Sequence, residues 1–235
     1  MKRIRWLTLL LLSGSAWAGV PSRPHLPYAS WYLGFFAPPH MEAWTEAAEV
    51  EDVDGRLLAN LESGTVSISD SGDAAGWPAR PGWGKGRDVT GANLPKRIAV
   101  RWQSLVEPQT YRVILTIPES ARQQMLTKSQ STAFSGEYDF QYALSIGLAP
   151  GGWVRAWVMS PGGLPVEILC TRAEIEPKGP SQGLTNGDYA YSFGQLDGAT
   201  QQYLKTHPIP YDSWTCPDSA GTLDQRFPQA PAKTY

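Results

Sequence analysis

Few residue types in this chain could carry covalent or metal chemistry, and their spacing narrows the choice further. There are three histidines, His25, His40 and His207, and two cysteines, Cys170 and Cys216. No histidine has another four residues away, the spacing that puts two imidazoles on one helical face around a metal. All three are therefore expected as exposed loop imidazoles. Two isolated cysteines lack the paired spacing of a zinc site. Gly82-Trp83-Gly84-Lys85-Gly86 is glycine-rich, but it lacks the four-residue interval and the Ser or Thr after Lys of a phosphate-binding loop. A G-x-S-x-G elbow, which would expose a nucleophilic serine, is missing. Asp52-Val53-Asp54-Gly55 has the start of a calcium loop without the carboxylate at its twelfth position, so it reads as a turn. A carboxylate pair for glycoside hydrolysis has no fixed spacing and stays open. The reading is of a non-enzyme with no catalytic residue, no metal and no cofactor.

Two clusters could bind a partner. Glu46, Glu49, Glu51, Asp52 and Asp54 crowd around one turn, forming either a solvated hairpin tip or an acidic docking surface. Trp77 and Trp83 lie in a Gly- and Pro-rich stretch, as covers over the core or as exposed anchors of the kind that dominate binding energy.

Where these residues work follows from the N-terminus. Lys2, Arg3 and Arg5 precede the apolar run Trp6–Leu12, and Ala16-Trp17-Ala18 is an A-x-A site. The pattern is a signal peptide cleaved before Gly19, leaving 19–235 as one β-rich domain in the periplasm. Leu12-Ser13-Gly14-Ser15 has the form of a lipoprotein box with Ser15 at the cysteine position. A hydroxyl cannot form the thioether, so no lipid anchor is expected. Cleavage leaves 17 basic against 22 acidic residues, a mildly acidic surface that suits a basic partner and not nucleic acid or anionic lipid. In an oxidising compartment Cys170 and Cys216 are expected to pair.

Composition and periodicity describe the elements that must position these residues. Hydrophobic residues make up 42% of the chain and charged residues 18%, enough for a core and too little charge for a disordered or coiled-coil chain. The 23 Gly and 20 Pro cut the chain into short elements, which argues against a helical bundle. Residues 31–37 suit one buried strand. Residues 41–53 fit either a helix, through Ala43, Glu46, Ala47 and Val50, or a hairpin arm; the arm is preferred, with Leu57 to Ile68 as its partner. Residues 69–95 read as a long loop. Ile98, Val100 and Trp102, then Tyr111, Val113, Leu115 and Ile117, alternate with more polar neighbours on either side of Glu107-Pro108-Gln109, an antiparallel hairpin. A short helix follows Pro118. Strands are expected over 138–148, 153–159 and 166–175, joined by Pro-Gly-Gly turns as a meander, then a helix over 195–206. The fold class is mainly β, an antiparallel β-sandwich or curved sheet with one or two short helices.

Gly82-Trp83-Gly84, Leu94-Pro95 before Val100-Arg101-Trp102-Gln103-Ser104, Glu107, Tyr111, and Ile146-Gly147-Leu148-Ala149-Pro150-Gly151-Gly152 followed by Val154 and Trp157 form a pattern. Together with Trp31, Gly34, Ala37 and Pro38 it resembles the bacterial family called domain of unknown function (DUF) 2931. The resemblance implies a small envelope protein, often encoded beside a phospholipase toxin of the type VI secretion system. It thereby implies a periplasmic immunity protein that binds and occludes a lipase effector. The partner-binding candidates are Trp77, Trp83, Glu51, Asp52 and Asp54. The alternatives are a periplasmic protein that binds a small ligand or glycan, and an envelope enzyme.

Overall fold

The computed structural model describes residues 25–66, 72–131 and 136–217; the segment read as a signal peptide lies outside them. The first aromatic run is β1 (Ser30–Phe36). Its Trp31, Leu33 and Phe35 enter the main core, while Tyr32 and Phe36 face the other way. β2 (Ala43–Asp52) is a strand with a bulge between Thr45 and Ala47. The extra residue keeps Thr45, Ala48 and Val50 all facing inward. The partner expected over 57–68, of which residues 67 and 68 lie outside the described residues, consists up to residue 66 of two stubs, β3 (Leu57–Leu58) and β4 (Gly64–Thr65), each paired with β2. Between them Asn60 turns the chain at a φ of 57°, a left-handed conformation that a continuous strand cannot contain.

The stretch expected as a long loop contains β5 (Lys85–Thr90), antiparallel to β1. Its one buried side chain is Val89, so it lacks the alternation that marks a strand. The hairpin β6 (Pro95–Ser104) and β7 (Gln109–Thr116) forms as its period-two pattern requires. Helix α1 (Glu119–Met125) follows Pro118 and inserts Ala121 and Met125 into the core. A small ribbon, β8 (Lys128–Gln130) with β9 (Tyr138–Phe140), comes next. β9 is separated at Gln141-Tyr142 from β10 (Ala143–Ala149), so the single strand expected over 138–148 is two elements. β11 (Trp153–Met159), β12 (Val166–Arg172) and β13 (Glu174–Ile175) follow. α2 (Gly198–Thr206) comes later, its first turn capped by the Asp197 carboxylate accepting from Ala199 N, and a 3-10 turn over Tyr211–Trp214 follows it.

Two sheets enclose the core. The first has the order β12-β11-β10-β1-β5 and includes the parallel pair β1–β10; the second has the order β13-β7-β6-β2-β3, with β4 also on β2. The meander is therefore divided between sheets. β12 pairs with β11 as far as Arg172, and from Glu174 the chain pairs with β7 instead. One apolar cluster combines Leu33, Ile146 and Val154 of the first sheet with Val50, Val100 and Leu115 of the second. This is the mainly β, mostly antiparallel sandwich with two short helices that the sequence pattern implies.

A second apolar cluster joins Met41, Leu105, Val106 and Trp153 to Leu196 and Trp214 from the C-terminal segment. Cys216 is disulfide-bonded to Cys170 of β12. That cross-link holds a Pro-rich tail with few regular elements against the sandwich. Closing its 46-residue separation is worth about 4 kcal/mol by chain entropy.

Candidate functional site

The outer face of the first sheet is roofed. Trp77 lies over Gly147, where a Cβ would come within 2.3 Å of the indole. Phe36, Trp77 and Trp157 meet with ring centroids 5.6 to 6.1 Å apart. Trp77 Nε1 donates to the Trp214 carbonyl at 3.1 Å, and Trp214 Nε1 donates to the Gly76 carbonyl at 3.2 Å. The Arg155 guanidinium sits 5.9 Å from the Trp77 ring centre. Farther along, Trp83 packs on Tyr32 and Tyr142. Its own carbonyl oxygen would lie 1.9 Å from a Cβ on Gly34, so that glycine is required for the loop to lie flat. Of the two readings of the tryptophans, the structure favours covers: both are half-buried and neither projects as a free anchor.

The acidic cluster is also divided by its surroundings. Asp52 is 0% exposed. Its Oδ1 accepts from Asp54 N and Arg56 N, and its Oδ2 from Asn93 N, each at 2.9 Å. This carboxylate organises the hairpin end from inside, so it belongs to the frame of the turn and not to its surface. Asp54 is exposed and accepts from Asn93 Nδ2 at 3.1 Å. Glu51 is paired with Arg97 and with Lys96 at 3.3 Å. The hydrogen bond from Arg97 is the main reason that its carboxyl lies below the usual range. Glu46 accepts from Arg101 Nε at 2.5 Å, Gln103 Nε2 at 2.8 Å and Ser181 N at 2.6 Å.

Strand register gathers these charges on the open face of the second sheet. Glu51 lies across from Arg97, Glu49 from Ala99, and Arg101 from Arg112, which reaches Glu174 and Glu176. Directly paired residues project to the same side, so basic positions on β6 and β7 are flanked by acidic ones on β2 and β13. Ile114, opposite Ala99, is 67% exposed, and Leu57, opposite Glu51, is 81% exposed. Thus Glu51 and Asp54 remain at one border of an accessible surface, while Trp77 and Trp83 belong to the other sheet.

At the opposite border, the segment 180–190 closes over Trp44 and Gln103 to form an open cleft of about 450 Å³. Pattern reading did not identify this segment. The available clue was Ser181-Gln182-Gly183 followed by Asn186-Gly187-Asp188, a turn-forming composition.

Two further polar groups have structural partners. Glu107 Oε1 accepts from Tyr111 Oη at 3.0 Å and Gly151 N at 2.9 Å. Burial pushes the Glu107 carboxyl up, and burial beside that carboxylate pushes the Tyr111 phenol well up. His40, expected in solvent, is 8% exposed and stacked on Tyr203 with ring centroids 4.5 Å apart. Tyr203 stacks in turn on His207, so the aromatic faces give His40 a packing role that its spacing does not reveal. Among the described residues no group of three His, Cys, Asp or Glu side chains could hold a metal ion. No helix there is long and apolar enough to cross a membrane.

A family model described as protein of unknown function (DUF2931) matches residues 18–212. No curated protein and no solved structure matches the chain.

Proposed function

The chain belongs to the DUF2931 family, and from that premise we propose that it is a periplasmic immunity protein. Its partner is a lipase or phospholipase toxin of the type VI secretion system, and it acts by covering the toxin's active-site cleft. The observation that carries the reading is the open face of the second sheet, where exposed Ile114 on β7 stands among charges of both signs, with exposed Leu57 at the β3 edge. An apolar centre surrounded by charges is the composition of a protein-binding patch: the apolar residues supply burial and the charges supply register and association rate. A rigid sheet presents this patch at little ordering cost. The Cys170–Cys216 bond suits an oxidising compartment, in keeping with the expected export.

On this reading Glu51 and Asp54 form the acidic rim, Asp52 holds the turn that presents Asp54, and Trp77 with Trp83 stiffens the sheet behind. The test is co-expression with the lipase toxin encoded by the neighbouring gene, directed to the periplasm, followed by calorimetry on the purified pair. Protection of the cells and a complex weakened at least about tenfold by Ile114→Glu, with unchanged melting, are expected. Absence of both binding and protection with the wild-type chain overturns the proposal.

A further inference from the structure

The cleft at the edge of the second sheet is built in a way that the sandwich does not require. Trp44 stands on its floor, held edge-on by Tyr191 at 5.6 Å between ring centroids. Beside it Gln103 is 2% exposed. Its Nε2 donates to Glu46 Oε1 at 2.8 Å, and its Oε1 accepts from Ala190 N at 2.7 Å. Glu46 Oε1 also accepts from Ser181 N at 2.6 Å. The Glu46–Gln103 pair thus fastens both ends of the segment that forms the far wall. Each amide group of Gln103 keeps hydrogen-bonding capacity beyond those two contacts, since the nitrogen has a second N–H and the oxygen a second lone pair.

The wall itself is held in costly geometry. Ser181, Gln182 and Asn186 have φ of 50°, 56° and 52° without being glycine. Left-handed backbone at a non-glycine residue is strained and persists where surrounding contacts over-determine it. Here the fastening through Glu46 and Gln103, with Thr185 Oγ1 donating to the Asp188 carbonyl at 2.7 Å, supplies those contacts. The result places Asn186, Asp188 and Tyr189 opposite Trp44.

From this arrangement we propose that the cleft binds a neutral saccharide, with a pyranose ring laid on Trp44 and its hydroxyls shared among Asp188, Asn186 and Gln103. The volume, about 450 Å³, lies within the range of small-ligand sites. An indole face accepts the apolar C–H face of a sugar ring, while a carboxylate accepts from adjacent hydroxyls and an amide both donates to and accepts from them. Among the described residues lining the cleft, Asp188 is the one with a charged side chain. A phosphate or carboxylate ligand would be repelled there, whereas a neutral polyol meets no charge penalty. The site differs from the toxin-binding reading in ligand, in residues and in location on the sheet.

The experiment uses the full mature chain and no toxin. Titration with glucose-, mannose-, galactose- and N-acetylglucosamine-based trisaccharides is followed by the indole N–H resonance of Trp44 and by calorimetry. At least one sugar should bind with Kd of about 1 mM or tighter and shift that resonance. Trp44→Ala should weaken binding at least about tenfold. Because Trp44 also packs against the second apolar cluster, two exposed variants accompany it. Asp188→Ala removes the carboxylate, and Asn186→Gly keeps the backbone conformation while deleting the amide. Weakened binding in both, with melting unchanged, supports the site. Absence of binding by all four sugars overturns it, as does binding that survives Asp188→Ala and Asn186→Gly unchanged. Either result leaves the toxin-binding reading untouched.

Discussion

The two outer faces of the sandwich are built from different chemistry. On the first sheet, Phe36, Trp157 and Met159 are buried beneath Trp77 and Trp83 and enclosed further by the disulfide-held tail. On the second sheet, the segment 180–190 covers the Trp44–Gln103 end, whereas among the described residues Arg97, Ala99 and Ile114 face outward with no such roof. Aromatic content by itself therefore does not locate a binding surface. The Trp-rich face is covered by its own chain, and the more open face carries mixed charge around exposed Ile114. Large aromatic rings contribute most when desolvated, and here that desolvation comes from intramolecular packing.

If the roof is structural, removing its centre should cost the most stability. Trp214 is 0% exposed and exchanges hydrogen bonds with the Trp77 loop in both directions. Trp214→Ala should lower unfolding free energy by about 4 kcal/mol in denaturant titration. A loss comparable to that of an exposed substitution would show the roof to be ornamental and return Trp77 and Trp83 to the list of anchors.

The cross-link comes next. Cys216→Ser frees the tail that carries Trp214, and a loss of about 3 kcal/mol is expected. Reductant should reproduce the same loss in the wild-type chain and add nothing in the variant. The comparison sharpens if Trp77 fluorescence changes in step, since the tail then holds the roof in place.

How far the sequence could foretell this contrast depends on local pattern. The β6–β7 hairpin was legible because alternation runs unbroken over Ile98, Val100 and Trp102 and resumes at Tyr111. β2 was ambiguous for a reason now visible: the bulge at Glu46 spaces buried Thr45 and Ala48 three apart, which imitates a helical period. β5 was hidden because Lys85, Arg87 and Asp88 occupy a sheet edge with one face in solvent. The Cys170–Cys216 pairing was legible from count and compartment. Asp52 and Asp54 are two residues apart in one acidic run, yet one is a buried acceptor for three backbone N–H groups and the other is exposed. That distinction depends on Asn93, a residue 41 positions from Asp52. The cleft at Trp44 was hidden for the same reason, since its walls come from strands and a loop far apart in sequence.

A smaller effect tests the end of the sandwich between the two faces. Burial raises the Glu107 carboxyl above its ordinary value. The unfolded chain then releases this proton at a lower pH than the folded chain does. The Glu107 contribution to stability is fully present below the ordinary glutamate value and is lost as pH rises through the folded value. Glu107→Gln retains an acceptor oxygen for Gly151 N and Tyr111 Oη and does not ionise. Its stability should exceed that of the wild-type chain at neutral pH and approach it in acid. An advantage that instead grows on acidification would reverse the sign and show that the hydrogen bonds, and not burial, govern this carboxyl.

The smallest expected change in stability distinguishes the faces most directly. Ile114 is 67% exposed and sits opposite Ala99, so Ile114→Glu leaves no cavity and strands no buried polar group. Stability should change by no more than about 0.5 kcal/mol, as for other surface substitutions free of special contacts. Ile114→Glu should nonetheless weaken the toxin complex, through faster dissociation. Trp83→Ala should do the reverse, lowering the melting temperature while leaving association kinetics unchanged. Should Trp83→Ala abolish binding in a folded protein while Ile114→Glu binds normally, the assignments of the two faces would have to be exchanged.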